Sequence, residues 1–196
     1  MSGFIRQASR DEEGSESIQV QVRLQSCIHM THVFVYGTLK RGQPNNYRMF
    51  DRTNGKAELL ASASTIQKYP LVIASKYNVP FLLNVPGQGH RVMGEIYKVD
   101  DRMLKFLDAF EGVPTMYQRT VVKLEVKEWV GEAEGEEKPA AGSFTEAFVY
   151  STTTYEPDWL SLPNYESYDS DGDHGLKPQW SEAPVSLNEA ADITEN

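Results

Sequence analysis

The sequence predicts an α+β fold: a β-barrel or strongly bent sheet with helical decoration. Three observations lead there. Short runs of β-forming residues recur between residues 32 and 152, each bounded by Pro, Gly, Asn or charge. One segment changes clearly to helical spacing. The runs follow one another closely, which suits strands closing on themselves better than helices covering an open parallel sheet. With 196 residues, 40% of them hydrophobic, the chain supports one domain with a core of its own.

The elements follow in order. His32–Tyr36 (HVFVY) is the first strong strand, and Gly37 ends it by letting the backbone turn. Ala57–Ile66, Pro70–Ala74 and Pro80–Val85 are short apolar or alternating runs, read as strands. Arg91–Val99 alternates well and is a further strand. In Asp101–Phe110 the period becomes helical, with Met103, Leu104, Leu107 and Phe110 on one face, Asp100 as N-cap and Gly112 as the stop. Tyr117–Val130 returns to alternation, Gly131–Gly142 is an acidic hairpin-type loop, and Ala147–Thr152 is the closing strand. Residues 1–30 read as a disordered extension, apart from an alternating stretch at Ile18–Leu24; Met30 stands just before the first strong strand. Residues 31–180 form the domain, and Ser181–Asn196 is a loose acidic tail.

Composition narrows the function. A net charge of -9 speaks against nucleic acid as a partner. The single cysteine, Cys27, allows no internal disulfide, which fits a reducing, cytoplasmic setting. No apolar run approaches the roughly 20 residues that span a bilayer, and Met1–Ile28 lacks the apolar stretch of a secretory signal. A monomer is the simplest expectation.

Several motifs fail on spacing. Asp169, Asp171 and Asp173 mimic the start of a calcium loop, but His174 holds the position of the turn glycine and Trp180 that of the bidentate glutamate. His29 and His32 have no third zinc ligand near them, and Gly87-Gln88-Gly89 is not a dinucleotide fingerprint. There is no Gly-x-Ser-x-Gly elbow, and nothing marks Cys27 as activated. Two places remain. In Val35–Lys40 (VYGTLK) a strand ends in a glycine turn whose free amides can converge on an anion. In Asp108–Gly112 (DAFEG), Glu111 stands at the negative end of the helix, where an apolar setting would push its pKa up toward a general base and acid. Taken alone, the two places read as an ordinary strand-ending turn and a solvated helix-end glutamate.

Together they coincide with a known pattern. Val33–Gly42 (VFVYGTLKRG) resembles the signature of the γ-glutamyl cyclotransferase-like family. Tyr69–Ile73, Gly94–Tyr97, Phe106–Gly112, Tyr117–Thr120, Ser167–Ser170 and His174–Leu176 are similar to the branch acting on γ-glutamylamines. The resemblance runs from about His32 to Leu176 and implies a compact mixed β-barrel with flanking helices. It implies a catalytic glutamate at Glu111 and a substrate pocket at Tyr36, Gly37, Thr38 and Leu39. The implied reaction cyclises a γ-glutamyl group to 5-oxoproline and releases an amine, with ε-(γ-glutamyl)-lysine the favoured substrate. The substrate's own α-amine is the nucleophile, so no metal or cofactor is expected. Members acting on free γ-glutamyl amino acids or glutathione, and a non-catalytic binder, are the rival readings. Tyr36 is expected as a pocket wall, and Lys40 and Arg41 as solvated cations.

Overall fold

The computed structural model describes residues 30–131 and 138–179. The expected extension up to residue 29, half of the acidic loop and the tail lie outside the described residues. Met30 already belongs to the first strand, one residue before the expected domain start.

Seven strands and two α-helices build the domain: β1 (Met30–Val35), α1 (Tyr47–Phe50), β2 (Ala57–Tyr69), β3 (Leu71–Ala74), β4 (Val79–Leu82), β5 (His90–Asp100), α2 (Asp101–Phe110), β6 (Gln118–Trp129) and β7 (Phe144–Ser151). Five strands close into a barrel in the order β1-β5-β2-β6-β7, while β3 and β4 form a separate hairpin. The barrel is mixed. Its ladders are antiparallel except the closing one, where β1 lies parallel to β7 with Val33 opposite Phe148. β2 can serve two neighbours because its register shifts between Leu59 and Ala61 and between Ser64 and Lys68. Such bulges bend a strand and raise its twist, which closure requires.

Strand β1 shows why the fold has two cores. Alternate residues of a strand point to opposite faces. Phe34 joins Ile96, Leu124 and Val149 in one apolar cluster. Val33 and Val35 join Val99, Met103 and Leu107 in the other, which holds α2 and the hairpin residue Phe81. Both faces of β1 are therefore covered, which explains its unbroken apolar run.

Helix α2 starts and stops as its sequence specifies. The Asp100 carboxylate accepts the Met103 amide at 2.8 Å. At the far end the Gly112 amide donates to Ala109 O at 3.2 Å and the Val113 amide to Asp108 O at 2.9 Å. This pair is a Schellman turn, which needs a left-handed residue past the cap; Gly112 supplies it with φ +63°. Glu111 is the C-cap itself.

Two short elements had no signal in the sequence. Helix α1 is a single turn of four residues, too short to carry a helical period, and is fixed by the buried Met49. A 3-10 turn at Pro157–Ser161 brings Trp159 against Phe81, with ring centroids 4.6 Å apart. Strand β7 begins three residues before the expected Ala147 because its first residue, Phe144, faces solvent. Among the described residues, no helix is long and apolar enough to cross a membrane.

Replacing Gly112 by Ala forces a Cβ into the left-handed region, which costs about 1–2 kcal/mol. Urea denaturation of Gly112→Ala is expected to show a loss of about 1 kcal/mol; unchanged stability would mean the helix end does not depend on that conformation.

Candidate active site

The Schellman turn and the glycine turn after β1 meet at one cleft. Its volume is about 110 Å³, and Tyr36, Gly37, Thr38, Leu39 and Glu111 all line it. The structure thus brings together every residue the sequence singled out. Phe110, Met116, Pro80 and Tyr117 add apolar and aromatic walls. The cavity is smaller than the roughly 300–1,000 Å³ of pockets that take drug-sized ligands.

Glu111 dominates the electrostatics. It keeps partial exposure through the cleft mouth, yet protein atoms crowd it on most sides. Among the described residues, no cation pairs with it. Burial pushes its carboxyl from the ordinary 4.5 up to about 8. Arg119 is engaged elsewhere: it holds Asp108, one helical turn before Glu111, through two bonds of 2.9 and 3.1 Å. Three phenols surround the site. The Tyr36 hydroxyl donates to Tyr150 O at 2.8 Å, the Tyr117 hydroxyl to Pro80 O at 3.1 Å, and the Tyr150 hydroxyl to Asp108 Oδ1 at 2.8 Å. Burial raises the pKa of all three, and the Glu111 charge adds to it. They remain neutral walls, as expected for Tyr36.

The loop after β1 is held open toward the cleft. Its internal bonds run from Lys40 N to Gly37 O and from Asn45 N to Thr38 O. These bonds leave the amides of Gly37, Thr38 and Leu39 unused. Gly37 is obligatory here, because a Cβ would stand 2.9 Å from the Pro80 ring. The Thr38 hydroxyl accepts from Asn45 Nδ2 at 3.1 Å.

Lys40 and Arg41, expected as solvated cations, are both engaged, although the Arg41 side chain stays 51% exposed. Lys40 Nζ donates to Tyr168 O at 2.7 Å and Ser167 Oγ at 3.0 Å. The Arg41 amide and Nε donate to the two oxygens of the buried Glu95, at 2.9 and 2.8 Å. A bidentate clamp of this kind fixes position as well as charge. Gln43 completes the fastening, accepting from Ser170 N at 2.8 Å and donating to Asp169 Oδ1 at 3.2 Å. The calcium-like run therefore folds as an Asx turn, in which Asp169 Oδ1 also accepts from Asp171 N.

Sequence reasoning did not single out Tyr150, Asn45, Pro80 or Met116 as pocket residues. Tyr150 ends an apolar strand and reads as core, and the other three stand in loops or short strands without spacing to link them to Glu111.

The Glu111 shift has a testable sign. The folded protein keeps a proton that the unfolded chain releases between pH 4.5 and about 8. Its contribution to stability is fully present below 4.5 and is lost as pH rises through about 8. Glu111→Gln cannot titrate. Denaturation at a series of pH values is expected to show wild type losing stability relative to this variant across that window; parallel curves would contradict it.

Known proteins carry the same features. The model of the family described as γ-glutamyl cyclotransferase, AIG2-like, matches residues 33–170. The chain is 57% identical over 153 residues to γ-glutamylaminecyclotransferase B of Danio rerio, covering 78% of this chain and 75% of that one. It is 51% identical over 148 residues to γ-glutamylaminecyclotransferase of Homo sapiens, covering 76% and 95%. The crystal structure of an AIG2-like protein from Mus musculus superposes with a TM-score of 0.71 at 51% identity, over 80% of this chain and 99% of that one. The chain belongs to the γ-glutamyl cyclotransferase, AIG2-like family.

Proposed function

We propose that this protein is a γ-glutamylamine cyclotransferase that converts ε-(γ-glutamyl)-lysine and related γ-glutamylamines to 5-oxoproline and a free amine. The observation that carries the reading is Glu111: an unpaired carboxyl near pKa 8, in the same cleft as the unused amides of Gly37, Thr38 and Leu39. The relatives named above point to the same activity.

The chemistry follows from proton positions. The substrate α-ammonium stands beside its own carboxylate, which favours the charged form, so it is mostly protonated at neutral pH. A carboxylate of ordinary strength would take its proton poorly, whereas Glu111 near 8 is matched to it. The freed amine attacks the γ-carbonyl carbon and closes a five-membered ring. The carbonyl oxygen gains charge, and the loop amides serve this oxyanion or the substrate's α-carboxylate. Protonated Glu111 then donates to the departing nitrogen as the old amide bond breaks, and the regenerated carboxylate takes the ring nitrogen's second proton and passes it to the released amine, which leaves as an ammonium. Substrate and Glu111 supply every proton and electron pair, so the scheme calls for no metal or organic cofactor. Proximity within one bound chain can supply about 7–11 kcal/mol. A placed proton shuttle adds about 10²–10⁴-fold, and an oxyanion donor about 3 kcal/mol. A cytoplasmic, monomeric enzyme with no nucleic-acid partner fits the lone Cys27 and the acidic composition.

The reactive complex holds one proton between Glu111 and the α-amine. Two protons leave no base, and none leaves no acid. The rate with ε-(γ-glutamyl)-lysine is therefore expected to peak near pH 8 and to fall about tenfold per unit well below it. A profile flat from pH 6 to pH 9 would exclude Glu111 as the shuttle. Glu111→Gln is expected to keep the wild-type circular dichroism and to lose at least about 10²-fold in kcat. Gly37→Ala displaces the loop from the Pro80 ring, and a loss of about 10²-fold in kcat/KM is expected. Release of 5-oxoproline from glutathione or γ-glutamyl-alanine, and none from the isopeptide, would move the specificity to the rival enzymes.

A further inference from the structure

Arg48 lies on α1 at the mouth of the cleft. Its guanidinium stands 5.0 Å from the centre of the Tyr47 ring and 5.1 Å from that of Phe110. Phe110 lines the cleft and immediately precedes Glu111; Asn45 also lines it, and its Oδ1 accepts from Arg48 Nε at 3.4 Å. The side chain is thus held by two rings and one amide, of which Phe110 and Asn45 line the cleft.

What it lacks is an anion. Arg41, Arg91 and Arg119 are paired with Glu95, Glu125 and Asp108. Among the described residues of this acidic protein, no carboxylate pairs with Arg48. A planar fork already fixed by stacking loses little further freedom when it binds a carboxylate. The protein spends two aromatic contacts on orienting a cation that nothing in the described fold uses.

We propose that Arg48 is a specificity-determining residue that pairs with the carboxylate of the departing amine. This rests on the cyclotransferase reading above. In that reading the glutamyl half occupies the floor of the cleft, with its ammonium at Glu111 and its anionic oxygens at the loop amides. The amine half then extends toward the mouth. In ε-(γ-glutamyl)-lysine this half carries a carboxylate at the end of a butyl chain, within the zone where Arg48 waits. The enzyme therefore favours γ-glutamylamines whose amine half bears a free carboxylate.

The test compares ε-(γ-glutamyl)-lysine with its lysine carboxamide, which keeps size and ammonium and removes the negative charge. Wild type is expected to prefer the acid by about tenfold in kcat/KM, through KM rather than kcat, as suits one charged hydrogen-bonded pair. Arg48→Ala is expected to abolish the preference, and Arg48→Lys to restore part of it. An undiminished preference in Arg48→Ala, or no preference in wild type, would overturn the proposal. So would an equal loss on both substrates, which would make Arg48 a support of the fold or of the glutamyl half. Failure of wild type to turn over either compound would instead remove the cyclotransferase reading on which the proposal stands.

Discussion

Glu111 bears its charge at a cost because burial desolvates it and, among the described residues, no cation pairs with it, and the surrounding structure maintains that setting. The helix that carries it packs Met103 and Leu107 into the outer core, so its end cannot swing into solvent. The Schellman turn fixes the C-cap backbone. Arg119 is held by Asp108, which the Tyr150 hydroxyl supports. Two acids three residues apart thus receive opposite treatment. Raising one carboxyl by burial is a recurrent way to obtain acid–base chemistry near neutral pH.

The glycine turn is the complementary half. The loop is fastened from outside as well as by its own backbone bonds. Glu95 holds Arg41 from the barrel wall, and the segment Ser167–Ser170 holds Lys40 and Gln43 from the C-terminal side. The Asn46 side chain donates to Leu39 O at 2.7 Å and to the Tyr97 hydroxyl, which in turn donates to Glu95. A fastened loop presents its donors without rearrangement, which is what electrostatic stabilisation requires.

Much of this was legible in the sequence, for reasons that differ by element. Helix α2 agreed at both ends because its cap, period and stop are all local chemistry: Asp100, the Met103–Leu107 face and Gly112. The strands were visible from alternation, but their order was not, since the parallel closure of β1 on β7 depends on contacts more than a hundred residues apart. Glu111 and the Tyr36–Leu39 turn stood out only once the family pattern joined them, because neither residue type nor spacing distinguishes a desolvated helix-end glutamate from a solvated one. Lys40 and Arg41 were misread for the same reason: their partners, Tyr168 and Glu95, are brought in by the fold. Helix α1 was invisible at four residues, and Arg48 with it.

The central claim is that isolation in the cleft, rather than any bound group, tunes Glu111. Its ionisation can be followed directly by carbon NMR of protein labelled at the glutamate carboxyls, with Glu111→Gln identifying the signal. The account predicts a midpoint near 8 in the free protein. A midpoint near the ordinary 4.5 would show that water or an unrecognised cation reaches the carboxylate, and would contradict it.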